Sequence, residues 1–246
     1  LKLKEEVVYL SGEESFLKGV KDCLPTVLGY LSIGFAAGVV QKTAGLSIIE
    51  ITLMSLLLYA GSAQFIAAGM LVSGAPIMSI ILTIFIVNLR YLLLSAALAP
   101  HFRHLGTWKN TLHGFLLTDE TFGVATSYLS DKKYASNRWM LGLNLTAYLN
   151  WTLANVLGGL FGKWIPNPEE FGLDFALPAM FIGLLVLQIV SRSEFRIDLL
   201  VVTGAILFTI CTSFIFSTGI NVILATVAAA ALGMVMDKWK SAQKSS

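Results

Sequence analysis

ITLMSLLLYAGSAQFIAAGMLVSGAPIMSIILTIFIVNL, residues 51–89, holds no charged side chain and stops at Arg90. A membrane-spanning helix needs roughly 20 apolar residues, so the run is long enough for two. Ser73-Gly74-Ala75-Pro76 supplies a tight turn between them. A second uncharged run, 199–236, repeats the pattern around Ser217-Thr218-Gly219. The composition of the whole chain agrees. With 56% hydrophobic and 13% charged residues and a mean hydropathy of +0.75, the chain falls in the polytopic membrane class.

The pattern predicts an all-α membrane bundle of about eight transmembrane helices. They fall at Leu24–Val40, Ile51–Val72, Pro76–Leu98, Leu112–Leu129, Trp139–Phe161, Phe175–Val190, Leu199–Phe216 and Ile220–Met236. Residues 1–23 read as a cytoplasmic lead, 24–236 as a single transporter domain and 237–246 as a cytoplasmic tail. The lead mixes lysines with glutamates and lacks the apolar core of a secretory signal. Ser11 and Glu14 stand at capping-box spacing, which predicts an amphipathic helix running through Phe16 and Leu17. With both termini cytoplasmic, only Lys42, Arg103, Lys109 and Lys163 face outward, and Lys132, Lys133, Arg138 and the other lysines and arginines lie inside, as the positive-inside rule requires. The net charge of +2 is too small and dispersed for nucleic acid. Cys23 and Cys211 sit in or beside apolar spans, where a thiol behaves as a small hydrophobe.

A weak symmetry relates 24–98 to 177–236. Leu24-Pro25 and Leu177-Pro178 open the units, and Gly61-Ser62 and Cys211-Thr212-Ser213 interrupt a span in each. An odd number of spans separates the two starts, so the units would be inverted, as in many secondary transporters.

Three ionisable side chains lie within the spans: Arg90, Asp119 and Glu120. A charge in hydrocarbon costs about 3 kcal/mol even on lenient scales, so such residues mark a polar path or an ion pair. Adjacent residues on a helix point about 100° apart, so one acid can face Arg90 while the other faces a cavity. Gly61-Ser62-Ala63-Gln64-Phe65 falls near the middle of its span, where small and polar residues free backbone groups to meet a ligand. The same residues also suit close helix packing. Asn144, Tyr148, Trp151 and Asn155 follow i, i+4, i+7, i+11 and share one helix face, which suits interhelical contact or a subunit interface. His101, His104 and His113 lack the companions a metal site would need, and no nucleotide or metalloprotease motif is present. A transporter, a passive channel and an intramembrane enzyme all remain open, the last lacking a recognisable electrophile site.

Tyr59-Ala60-Gly61-Ser62-Ala63-Gln64-Phe65, Asn88-Leu89-Arg90-Tyr91 and Thr118-Asp119-Glu120 carry a resemblance to the AzlC family, the large subunits of bacterial branched-chain amino acid exporters. The likeness runs from about Phe16 through Tyr128 and more loosely to the C-terminus. Tyr91 stands where the family often has His. With no electrophile site and no nucleotide or metal motif in the sequence, neither enzyme activity nor a cofactor is expected. The resemblance implies antiport across the cytoplasmic membrane, with Leu, Ile, Val and Met as cargo and an ion gradient as drive. A small, separately encoded AzlD-type membrane subunit is implied as partner. On that basis Gly61, Ser62, Ala63, Gln64, Phe65 and Asn88 are expected at the substrate, Arg90, Asp119 and Glu120 at the coupling ion, and Asn144, Tyr148, Trp151 and Asn155 at the partner.

Overall fold

Ser15 opens the first helix by accepting a hydrogen bond from the Lys18 amide at 3.2 Å, and α1 then runs Phe16–Thr43. The structure, a computed structural model, describes residues 15–165 continuously. Beyond these it describes 168–172, 175, 178–179, 182–183, 185–186, 189, 195–215, 224–225, 227–229 and 231–236. The helices that follow are α2 Ile48–Leu57, α3 Gly61–Val72, α4 Ile77–Phe102, α5 Thr107–Phe115, α6 Asp119–Leu129 and α7 Asn137–Gly162, with a 3-10 turn at Pro168–Phe171. All belong to one unit, Leu1–Leu184. The second unit, Leu185–Ser246, contains α8 Phe195–Ser213, which approaches the helical stretch 231–236 at Gly204 and Gly233. Among the described residues there is no strand, and the all-helical membrane bundle is confirmed.

α1 and α7 lie side by side and parallel. Phe16 meets Gly142, Phe35 meets Gly158, and Gly38 meets Asn155 and Gly159, so position rises together along both helices. Gly38 and Gly158 are required by this close approach. A Cβ on either would strike the other helix's carbonyl oxygen, that of Asn155 or Phe35. Small residues at such contacts let membrane helices touch backbone to backbone.

α4 runs the opposite way. Its C-terminal end lies beside the start of α7, where the Ala135 amide donates to the His101 carbonyl at 3.0 Å. Leu98 and Phe102 share a buried cluster there with Cys23, Leu129 and Trp139. At 1.5 Å per residue α4 is about 39 Å long, so Ile77 stands at the far end of the bundle. Ile77, Met78, Leu92 and Leu93 are 69–74% exposed, which a helix facing lipid tolerates and one facing water does not. Both α1 and α4 are long and apolar enough to cross a membrane.

This direction decides the short helices. α2 begins at the far end, where Ile48 and Ile51 pack near Gly159. α3 must finish at that same end, because only Ser73–Pro76 separates it from α4. The two helices therefore form a hairpin that enters and leaves by one side. Gln64 Nε2 reaches across it to Ser55 Oγ at 3.2 Å. α5 and α6 form a second hairpin from the near end. His113 lies beside Asn137, and Tyr128 stacks on Trp139 at 4.0 Å between ring centroids.

Several expectations are corrected here. Ile51–Val72 and Leu112–Leu129 were expected as single spans. Each is two half-helices, broken at 58–60 and 116–118, and folds back as a hairpin instead of running as one continuous helix. Their combined length hides two pieces of 9 to 12 residues, each long enough only for half a bilayer. Arg103 and Lys109 consequently lie at the same end as Lys132 and Lys133, which strengthens the charge bias. A long helix followed by a hairpin occurs twice in opposite directions, over 16–72 and 77–129. The symmetry expected between 24–98 and 177–236 rests in part on residues outside those described, including Leu177 and Ser217–Gly219. Outside them too lie residues 1–14 of the lead, the tail, half of Phe175–Val190 and six positions of Ile220–Met236.

Candidate functional site

The tips of the two hairpins meet beside the midpoints of α1 and α4. In the first tip Tyr59 adopts φ +41°, a left-handed conformation that costs an L-residue about 1–3 kcal/mol. Ala60 then starts α3 with no side-chain cap. The second tip is capped. Thr118 Oγ1 accepts from the Thr121 amide at 3.3 Å, and Thr121 Oγ1 accepts from the Thr118 amide at 2.9 Å. Asp119 and Glu120 occupy the first turn of α6, where the helix dipole favours negative charge.

Arg90, at the middle of α4, donates through Nη2 to Ser62 Oγ at 2.8 Å and pairs with Asp119 Oδ2 at 2.9 Å. It thus ties both tips to one helix. The Tyr30 hydroxyl, at the middle of α1, donates to Glu120 Oε2 at 2.7 Å and lies 2.6 Å from Thr118 Oγ1. Each long helix therefore reaches the second residue of one half-helix: Tyr30 to Glu120, Arg90 to Ser62. Among the described residues Glu120 makes no ion pair, so the two acids have different settings. Tyr30, Tyr59, Gly61, Arg90, Tyr91, Thr118, Asp119, Glu120 and Trp151 line one small cavity. Its free volume is about 10 Å³, room for on the order of one water.

Of the residues expected at the substrate, only Gly61 lines this cavity. Ser62 is turned to Arg90, and Ala63 is fully buried. Gln64 is spent inside the protein, accepting from Trp151 Nε1 at 2.9 Å while it bridges to Ser55. Phe65 is buried in the core cluster. Asn88 is half-buried outside the cavity, with its Oδ1 unbonded among the described residues.

Of the residues expected at a partner subunit, Asn144, Trp151 and Asn155 are buried within the chain and Tyr148 is half-buried. Their face of α7 is filled from within the chain, because half-helices expose backbone groups that need internal partners. Tyr148 Oη donates to the freed Leu56 carbonyl at 2.8 Å. Trp151 holds Gln64 and packs edge-on to Tyr30 at 5.3 Å. Asn155 Oδ1 accepts from Gln41 Nε2 at 2.8 Å, and Asn144 Nδ2 points to the His113 carbonyl at 3.5 Å.

Tyr30 escaped the reading of the sequence, since a tyrosine in an apolar helix resembles ordinary core, and Tyr59 and Tyr91 entered it only as parts of motifs, with no role assigned. The second break did leave a signal. Thr118 followed by two acids is the pattern of a helix N-terminus, not of a helix interior.

A family model described as AzlC protein matches residues 25–165, a stretch that contains every cavity-lining residue. The inner membrane protein YgaZ of Escherichia coli strain K12 is 28% identical over 94% of both chains. An uncharacterized membrane protein of Archaeoglobus fulgidus is 30% identical over 94% of this chain and 97% of its own. The branched-chain amino acid transport protein AzlC of Bacillus subtilis is 30% identical over 67% of this chain and 64% of its own. No solved structure matches the chain.

Proposed function

Because the chain belongs to the AzlC family, we propose that it is a secondary transporter exporting Leu, Ile, Val and Met across the bacterial cytoplasmic membrane in exchange for protons. The name of the Bacillus subtilis relative supports the cargo, and that of the Escherichia coli relative the membrane. One observation carries the mechanism: two hairpins entering from opposite ends close on a single polar cavity that holds one paired and one unpaired carboxylate.

In this reading each hairpin is a gate for its own side. A cavity of about 10 Å³ admits no amino acid, so cargo enters only when one tip withdraws while the other stays shut. Alternation between the two gates moves substrate without opening a continuous pore. Asp119 serves as the counter-ion of Arg90 and keeps the tips together. Glu120, bonded by the Tyr30 hydroxyl, takes up and releases the coupling proton. Lys18, Lys21, Arg103, Lys109, Lys132, Lys133 and Arg138 mark the Phe16 end as cytoplasmic. A small AzlD-type subunit completes the exporter and docks on a surface other than the α7 face that this chain fills itself.

The test uses inside-out vesicles energised to an acid interior. Wild-type vesicles accumulate leucine. Glu120→Gln abolishes the pH-driven component and retains leucine–leucine exchange only at a raised half-saturation, whereas Asp119→Asn lowers both. Gradient-driven accumulation at the wild-type level in both variants would sink the assignment.

A further inference from the structure

We infer that the first turn of α3 and the Tyr59 hydroxyl form a subsite for the carboxylate of the cargo, an inference that rests on the amino acid transport proposed above. The two tips are electrically unlike. At α6 the amides are capped by Thr118 and Thr121, and the turn carries two acids of its own. At α3 there is no side-chain cap and no acidic residue in the first turn. Intrahelical bonding begins with the Gln64 amide on the Ala60 carbonyl at 2.9 Å. That leaves the amides of Gly61, Ser62 and Ala63 without a partner among the described residues. Free amides at the positive end of a helix attract an anion.

A second observation points the same way. Tyr59 is only 4% exposed and lines the cavity, yet its Oη makes no hydrogen bond of acceptable geometry among the described residues. The Tyr30 hydroxyl on the same cavity is engaged with Thr118 and Glu120. Buried hydroxyls are ordinarily satisfied, so an unsatisfied one at a ligand cavity awaits a ligand atom. Gly61 has no side chain to obstruct the approach, and the Arg90 guanidinium, shared between Ser62 and Asp119, stands at the rim. Across the cavity stand Asp119 and Glu120. A zwitterion laid between the tips directs its carboxylate to α3 and Tyr59 and its ammonium group to Glu120. The ammonium group and the coupling proton then compete for one carboxylate, which links entry of the proton to departure of the cargo.

Two measurements on the chain purified and reconstituted together with its small subunit separate this inference from the transport reading. The first is competition against labelled leucine in proteoliposomes. Leucine and its 2-oxo acid compete, leucinamide needs at least about tenfold more, and Tyr59→Phe raises the leucine half-saturation about tenfold, as loss of a bond to a charged group would. The second is binding of isovalerate, a carboxylate without an ammonium group, followed through the fluorescence of Trp151. It saturates with wild type and is lost in Tyr59→Phe. Leucinamide competing as well as leucine, or an unchanged half-saturation in Tyr59→Phe, would overturn the subsite and leave transport standing. Tyr59-dependent isovalerate binding by a reconstituted complex that carries no leucine would overturn transport and leave the subsite standing.

Discussion

Arg90 is the residue on which both hairpin tips depend, since one guanidinium nitrogen serves Ser62 and Asp119 together. Removing it leaves Asp119 without a counter-charge, a larger loss than the pair itself contributes. The side chains keep 24% and 16% exposure, so solvent softens the penalty. Arg90→Met should therefore cost about 2–3 kcal/mol, below the range for fully buried pairs. The double variant Arg90→Met with Asp119→Leu should recover most of the thermal stability in detergent and none of the transport. The pairing itself was legible in the sequence, because a charge in an apolar run demands a partner. Tyr30 was not, because nothing in its surroundings distinguishes a hydroxyl that holds Glu120 from one that is merely buried.

Among the elements, α7 holds the rest in place. Its glycines admit α1, and its polar face closes the broken ends of both hairpins. Gly158→Leu would push a side chain into the Phe35 carbonyl. We expect a loss of about 3 kcal/mol, the upper range for overpacking, read as a lower unfolding temperature. Gly29, where a Cβ meets nothing, should accept alanine without loss. The long helices were readable from their apolar runs to within a few residues at α7 and α8, whereas α1 and α4 extend past theirs. The breaks were not, since an apolar run of about 20 residues has the same composition whether it crosses or turns back. What decides between the two is the direction of α4, which only tertiary contact at His101 reveals.

For the whole molecule the consequence is topological and directly measurable. In a Cys211→Ser background, with the remaining Cys23 buried, single cysteines at Gly74, His104 and Lys132 can be labelled by a membrane-impermeant maleimide. Positions 104 and 132 should react from one side and 74 from the other. An eight-span chain would instead group 74 with 132 and leave 104 opposite. The placement of α7 also bears on how the chain is made. Four half-helices leave the ribosome before the helix that satisfies their exposed carbonyls. A nascent chain that ends before Asn137 holds hairpins it cannot complete, so stalled translation products of that length should be prime substrates for membrane quality-control proteases, and those extended past Gly162 should escape.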